Sequence, residues 1–230
     1  MLSDEQRALL RTGLAEWGIE LSALQMDRFA RFTAMLERGN TQLNLTRIRN
    51  EDIVALHFLD SLALTAVFRP AVGAKYIDVG TGAGFPGIPL AIVFPEIDVT
   101  LVDGTQKRLN FLDGVIADLA LARVRTLHSR AEDLSRLHLH HEQYDFVTAR
   151  AVAKMPLLAS YMLPLVRLKG LAVAYKSCDA QAEIEASRSR IASLGGKIEQ
   201  IADITLPTTN VERKIVMVRK VRSIAVRSSR

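Results

Sequence analysis

The chain has 230 residues, with 30 basic and 25 acidic side chains, 49% hydrophobic residues and a single cysteine, Cys178. That length suits one domain, or one domain with a small N-terminal extension, and can bury a full core; one cysteine excludes a disulfide framework and makes a reducing cytoplasm the expected location. Ser3, Asp4 and Glu5 stand where a secretory signal carries basic residues, and charges interrupt each apolar segment well before the roughly 18 residues of a membrane span, so no targeting peptide and no membrane partner are expected.

In chain order, Asp4 to Trp17 and Gln25 to Arg38 place apolar residues at helical spacing, Phe29, Phe32, Met35 and Leu36 among them. Trp17 closes the first of these as a core or interface side chain. Glu51 to Phe68 predicts a further helix, ended near Pro70. Strands then alternate with helices. The strands are Lys75–Val79, Asp98–Val102, Arg123–Leu127, Tyr144–Ala149 and Leu171–Tyr175, and the helices Gly87–Phe94, Gln106–Ala120, Met155–Arg167 and Ala180–Leu194. Such alternation predicts an α/β fold, a parallel sheet wrapped by helices on both faces. Lys197–Leu206 and Lys214–Val221 follow as two strands joined by a loop, a hairpin at the end of the sheet. The expected organisation is a helical extension over residues 1–70, an α/β domain over 71–221 and a basic tail over 222–230.

The most telling stretch is Tyr76 to Gly87, YIDVGTGAGFPG, where a buried strand breaks into glycines at the start of a helix. Gly80, Gly82 and Gly84 allow a sharp turn that leaves bare backbone and helix-terminal N–H groups for a cofactor. Gly82, Gly84 and Gly87 fit GxGxxG, with Asp103 lying 19 residues after Gly84 at a strand end, where a carboxylate can accept from ribose hydroxyls. Asp78 inside the strand and a glycine run that begins at Gly80 turn the pattern from a dinucleotide fingerprint towards DVGTGAG, which resembles the first motif of S-adenosylmethionine (SAM) methyltransferases.

DVGTGAGFPGIPLAI stands with NLTRI (Asn44 to Ile48), HFLDSL (His57 to Leu62), VDGTQKRLNFL (Val102 to Leu112), RAE (Arg130 to Glu132) and TARAVA (Thr148 to Ala153), in one order. Together these resemble the bacterial 16S ribosomal RNA guanine-N7 methyltransferase family, also called glucose-inhibited division protein B, from about Leu9 to Lys220. Gly104 departs from the family, which usually carries Ser there. The resemblance implies a Rossmann-like SAM-dependent methyltransferase fold, with a mostly parallel seven-stranded sheet whose last strand is antiparallel. It also implies SAM as cofactor and 16S rRNA or the small ribosomal subunit as partner. The cofactor residues it implies are Asp78, Gly80, Gly82, Gly84, Phe85, Asp103, Ala131, Glu132 and Arg150, the last at the carboxyl end of the fourth strand, where open α/β sheets bind ligands. Guanine N7 carries a lone pair and no proton, so the reaction needs no general base.

Several residues stay open between two roles. His57 and Asp60 lie three apart and share a helix face; with Arg150 they are catalytic candidates, or they tie the N-terminal helices to the sheet. Lys176, at the end of the fifth strand, is either an RNA contact or a solvated lysine, and Asp145 reads as structural. From Val211 to Arg230 seven basic residues face one acid, Glu212, whereas the rest of the chain has 23 basic and 24 acidic residues. A basic end on a near-neutral body suits phosphate contact; Arg213 and Lys214, which open a strand, are the candidates, and Arg222 to Arg230 reads as a solubilising tail. His138, His140 and His141 lack a ligand spacing and read as surface, so no metal is expected. Cys178 has no nucleophile context, and a monomer is expected. Two other classes fit the residues alone: a nicotinamide oxidoreductase, and a non-catalytic RNA-binding protein on the same fold.

Overall fold

The computed structural model describes residues 2–134 and 137–224. Arg227 and Arg230 of the expected tail lie outside the described residues. Two helices open the chain, α1 (Asp4–Glu16) and α2 (Ala23–Leu43). Both start with a capping box: Ser3 and Ser22 accept from the amides of Gln6 and Gln25, whose side chains accept from the cap amides in return. Gln25 Nε2 also donates to the carbonyls of Ile92 and Val93, at 3.0 and 3.1 Å, which ties the start of α2 to the body of the fold.

The segment expected as one helix over Glu51 to Phe68 is composite. It runs as a 3-10 turn (Asn50–Asp52), a π-helical turn (Val54–Leu59), the single α turn α3 (Asp60–Leu62) and a second 3-10 turn (Ala63–Ala66). A wide π turn shifts the side chains that follow it around the axis, and such turns concentrate at functional sites. This one carries His57 and ends at Asp60.

The alternating part follows as β1 (Lys75–Val79), α4 (Gly87–Val93), β2 (Asp98–Asp103), α5 (Gln106–Asp118), β3 (Val124–His128), α6 (Ala131–Leu134), β4 (Tyr144–Arg150), α7 (Met155–Met162), β5 (Val166–Ser177), α8 (Gln181–Ala186), α9 (Arg188–Ser193), β6 (Gly196–Thr205) and β7 (Glu212–Lys220). The seven strands form one sheet in the order β3-β2-β1-β4-β5-β7-β6. β1 to β5 are parallel, and β7 lies antiparallel between β5 and β6. Two expected helices are shorter than their apolar pattern. Pro164 supplies no amide to prolong α7, and β5 starts at Val166, pairing with Tyr144 before a register shift. The helix expected over Ala180 to Leu194 breaks at Ser187, whose Oγ donates to the Ile184 carbonyl at 2.6 Å and competes with the helix ladder.

Strand alternation divides the core into two. Tyr76, Phe146, Val173, Tyr175 and Met217 pack against Phe29, Phe32, Phe58 and Leu59, so the N-terminal helices cover one face of the sheet. Ile77, Val79, Val147, Ala174 and Val216 pack against Leu158, Met162, Ile184 and Ile191 on the other. The chain leaves the centre of the sheet in both directions from β1 and β4. The crevice at the carboxyl ends of these two strands is where open α/β sheets hold ligands.

Candidate active site

Asp78 shapes the glycine loop from below. It is fully buried at the end of β1, and its carboxylate accepts from Thr81 Oγ1 (2.7 Å), the Gly87 amide (3.0 Å) and Thr148 Oγ1 (2.8 Å). The Thr148 hydroxyl is thus committed as donor, so the Tyr76 hydroxyl donates to it, at 2.6 Å. Burial pushes Asp78 up from 3.8 to about 6 against the hydrogen bonds from Thr81, Thr148 and Gly87 and the charge of Arg150. Asp78, expected among the cofactor residues, thus lies buried beneath the loop and holds its two ends together. Gly87 completes the closure: a Cβ there would stand 2.2 Å from Leu101 Cδ2, so only glycine lets α4 approach β2 this closely.

Above the loop lies a first cavity of about 360 Å³ lined by Gly80, Asp103, Ala131, Glu132, Val152 and Tyr161, among others. Asp103 closes β2 and is 5% exposed. Its Oδ2 accepts from the Gly82 amide at 3.0 Å and from Arg108 Nη1 at 3.5 Å, and its Oδ1 from the Thr105 amide at 2.8 Å, which leaves a lone pair on Oδ1 for a ligand hydroxyl. Gly82 has φ +60°, and a Cβ built there would meet no atom within 4 Å, so the loop turns bare backbone towards open space beside Asp103. A carboxylate with spare acceptor capacity beside an exposed backbone loop fits the ribose and chain of a nucleoside cofactor such as SAM. At Gly104 a side chain would meet only Arg130 Cγ, at 3.5 Å, so the departure from Ser removes no packing constraint.

A second cavity of about 590 Å³ lies beyond the 151–153 turn, with His57, Asp60, Arg150, Lys176, Glu183 and Arg213 in its wall. Asp60, 4% exposed, accepts from Arg150 Nη1 at 2.8 Å through one oxygen and from Arg213 Nε at 2.9 Å through the other. One carboxylate thus holds two guanidiniums and leaves a net positive charge. His57 lies flat on Phe85, ring centroids 4.1 Å apart and planes within 3°. Arg150 Nη2 lies 3.2 Å from His57 Nδ1 and can only donate, so Nδ1 accepts and Nε2 carries the proton towards Thr46 Oγ1 at 2.7 Å. Burial, aided by the charge of Arg150, lowers His57 from 6.5 to about 3, so the ring is neutral at physiological pH. Lys176 is not a solvated lysine: its side chain is 11% exposed and its Nζ donates to the Ala153 carbonyl at 2.8 Å and to Glu183 Oε1 at 2.7 Å.

The residues expected at one cofactor site are therefore distributed over two cavities and the floor beneath them. Gly80, Asp103, Ala131 and Glu132 meet in the first cavity. Arg150 lies instead in the wall of the second, bonded to Asp60 and His57. Phe85 is 4% exposed within an aromatic group with Phe32, Phe58 and His57, and supports that wall from behind. Gly84, at φ +100°, packs towards Ile88 and Leu112. Arg213 and Lys214 are neighbours on β7 and so point to opposite faces: Arg213 reaches Asp60, whereas Lys214 bonds Asp203 at 2.6 Å on β6 and does not line the cavity. Asp145 is structural, accepting from the Lys75 amide at 2.8 Å. Sequence reading missed Thr46, Thr81, Thr148 and Glu183; for Thr148 the only signal was a hydroxyl inside an apolar strand. His140 bonds Tyr144 at 2.7 Å, and among the described residues no group of three or more potential ligands could hold a metal.

A parallel sheet with an antiparallel strand inserted next to its edge, a glycine loop after β1 and an acidic β2 terminus define the class of SAM-dependent methyltransferases. Solved structures agree at the level of the fold. A SAM dependent methyltransferase from Aquifex aeolicus matches with a TM-score of 0.54 at 16% identity, over 74% of this chain and 93% of that one. M. jannaschii TYW2 in complex with AdoMet matches with a TM-score of 0.54 at 16% identity, over 68% and 72%. The sequence is more specific: residues 25–216 match the model of the family GidB, rRNA small subunit methyltransferase G, and the chain belongs to that family. A relative in Desulfitobacterium hafniense (strain Y51) named "Ribosomal RNA small subunit methyltransferase G" is 42% identical over 224 residues, 97% of this chain and 92% of the relative. The chain is a SAM-dependent methyltransferase of ribosomal RNA. Among the described residues no helix is long and apolar enough to cross a membrane.

Proposed function

We propose that the chain methylates N7 of a guanine in 16S rRNA, as a monomer in the cytoplasm, with SAM held in the first cavity and the guanine in the second. When bound, SAM supplies an electrophilic methyl group on a positively charged sulfur. Asp103 and the bare backbone at Gly82 would hold its ribose and chain, Ala131 and Glu132 would border its base, and Asp78 would keep the loop in shape.

The observation that carries the reading is that, among the described residues, each imidazole and carboxylate in the wall of the second cavity is held by a cationic side chain, Glu183 by Lys176 included. The Nδ1 lone pair of His57 is taken by Arg150, and the two oxygens of Asp60 are ion-paired, one to Arg150 and the other to Arg213. Methylating an exocyclic amine requires a proton to leave, and general acid–base help is then expected; N7 has no proton to lose. The residues instead orient the base, an effect worth roughly 7–11 kcal/mol in favourable cases. Arg150, Arg213 and Lys176 give the cavity a cationic wall suited to the phosphates on either side of the base. N7 lies on the edge that A-form RNA hides in its narrow groove, so the target guanine is unpaired or turned out of the stack.

Transfer of label from radiolabelled SAM to small-subunit particles lacking their own N7 methylation, followed by mapping of the base, tests this. Label on N7 of one guanine is expected. Label on an exocyclic nitrogen, or none with SAM binding intact, would overturn the substrate assignment.

A further inference from the structure

We propose that Glu183 selects guanine, its Oε2 accepting hydrogen bonds from N1–H and the 2-amino group of the target base. The inference rests on the guanine reading above and names the group that enforces it.

Glu183 belongs to the six-residue helix α8 and lines the second cavity together with Arg150, Lys176 and Arg213. Its side chain is 27% exposed, half sheltered but open to a ligand. Among the described residues, its hydrogen bonds all end on one oxygen: Oε1 accepts from Lys176 Nζ at 2.7 Å and from the Met155 amide. Oε2 keeps its lone pairs, in a carboxylate whose direction is fixed by two donors from different elements. Burial alone would raise Glu183, but the Lys176 and Met155 hydrogen bonds and the charges of Lys176 and Lys154 outweigh it and hold the group below the usual carboxylate range. It is therefore a charged hydrogen-bond acceptor and a poor proton acceptor, as a base-reading group in a proton-free reaction should be.

The rest of the wall cannot do this task. Arg150, Arg213 and Lys176 only donate, and Asp60, 4% exposed between its two arginines, is less open to a ligand than Glu183. Guanine is the base that presents two adjacent donors, N1–H and N2–H, on its pairing edge. Adenine and cytosine place a ring acceptor there, and uracil flanks its single N–H with carbonyl oxygens, each of which a carboxylate repels. Gripping the N1–N2 edge also leaves N7, on the other side of the purine, free to react.

The test uses small-subunit particles reconstituted with 16S RNA carrying either guanosine or inosine, which keeps N7 and N1–H but lacks the 2-amino group, at the mapped position. Binding of the two RNAs is read by fluorescence anisotropy alongside KM and kcat. The unaltered enzyme should prefer guanosine by about tenfold or more in KM and Kd, the usual size of a lost polar base contact. Glu183→Gln keeps an oxygen for Lys176 and Met155 but turns an amide donor towards the donors of guanine. It should bring the ratio close to one by weakening guanosine binding, with SAM affinity unchanged. A merely structural Glu183 would weaken both RNAs alike and preserve the ratio. A ratio near one in the unaltered enzyme, or an unchanged ratio in Glu183→Gln, overturns the inference while leaving the N7 assignment standing. Absence of N7 label on guanosine from the unaltered enzyme overturns both.

Discussion

The two cavities at the carboxyl edge of the sheet are built by different means. The first is made of backbone: a glycine loop braced by one buried carboxylate, Asp78, and closed by another, Asp103, with its main residues inside the βα units that open the sheet. The second is made of side chains brought from Thr46 to Arg213 and held by ion pairs around Asp60 and Glu183. A backbone site is shaped by the conformation of a short segment and tolerates little change of form. A side-chain site depends on each partner being present, and fails by leaving charges unpaired.

Breaking the second site should have the largest effect on stability. Asp60→Ala leaves Arg150 and Arg213 without their shared anion, and urea unfolding should show a loss of about 3 kcal/mol, the low end for a broken buried pair because both arginines keep some exposure. A loss under half of that would mean the pairs are surface-like. The first site should respond in affinity. Asp103→Ala should weaken SAM binding by about 2–3 kcal/mol, roughly 30- to 150-fold by calorimetry, as expected for hydrogen bonds to a charged group. Thr148→Val reaches the same loop from beneath: it strands Asp78 Oδ1 and the Tyr76 hydroxyl and should cost about 1–2 kcal/mol of stability.

The smallest effect is a slope. His57 is lowered from 6.5 to about 3, so between these values the unfolded chain binds the extra proton, and stability is lost as pH falls below 6.5, by at most about 1.4 kcal/mol per pH unit. Asp78, raised from 3.8 to about 6, acts with the opposite sign: its contribution is full below 3.8 and is lost as pH rises through 6. The two slopes oppose each other between pH 4 and 6, so only a difference reveals them. His57→Phe keeps the stack on Phe85 and removes one slope, so its stability deficit relative to the unaltered chain should shrink as pH falls from 6.5 towards 4. A deficit independent of pH would contradict a neutral, buried His57.

This difference also explains what could be read from the sequence. The glycine loop and the strand end at Asp103 were legible because strand, turn and helix signals lie within a short stretch; the alternation of elements led to the parallel strands, and the closing hairpin together with the family resemblance to the antiparallel β7. Arg150 was legible as a residue at the ligand-binding edge of the sheet, at the end of β4, but not as a member of the second cavity, because its partners Asp60 and His57 lie some 90 residues away in sequence. Thr46 gave no sign and Thr148 only that of a hydroxyl inside an apolar strand, since threonine is an ordinary strand and loop residue and only burial beside a carboxylate or an imidazole makes its hydroxyl matter. The π turn over Val54–Leu59 preserves an apolar pattern that reads as α-helix while shifting His57 and Asp60 around the axis. Lys214 looked equivalent to Arg213 until strand pleating separated them.

The division of labour between the cavities is tested most directly by SAM titration of Arg150→Ala in a calorimeter, with RNA binding measured on the same preparation. The account predicts SAM affinity within about twofold of the unaltered chain, under 0.5 kcal/mol, together with weakened RNA binding. A SAM affinity reduced by about tenfold or more, with RNA binding intact, would return Arg150 to the cofactor and contradict the two-cavity arrangement.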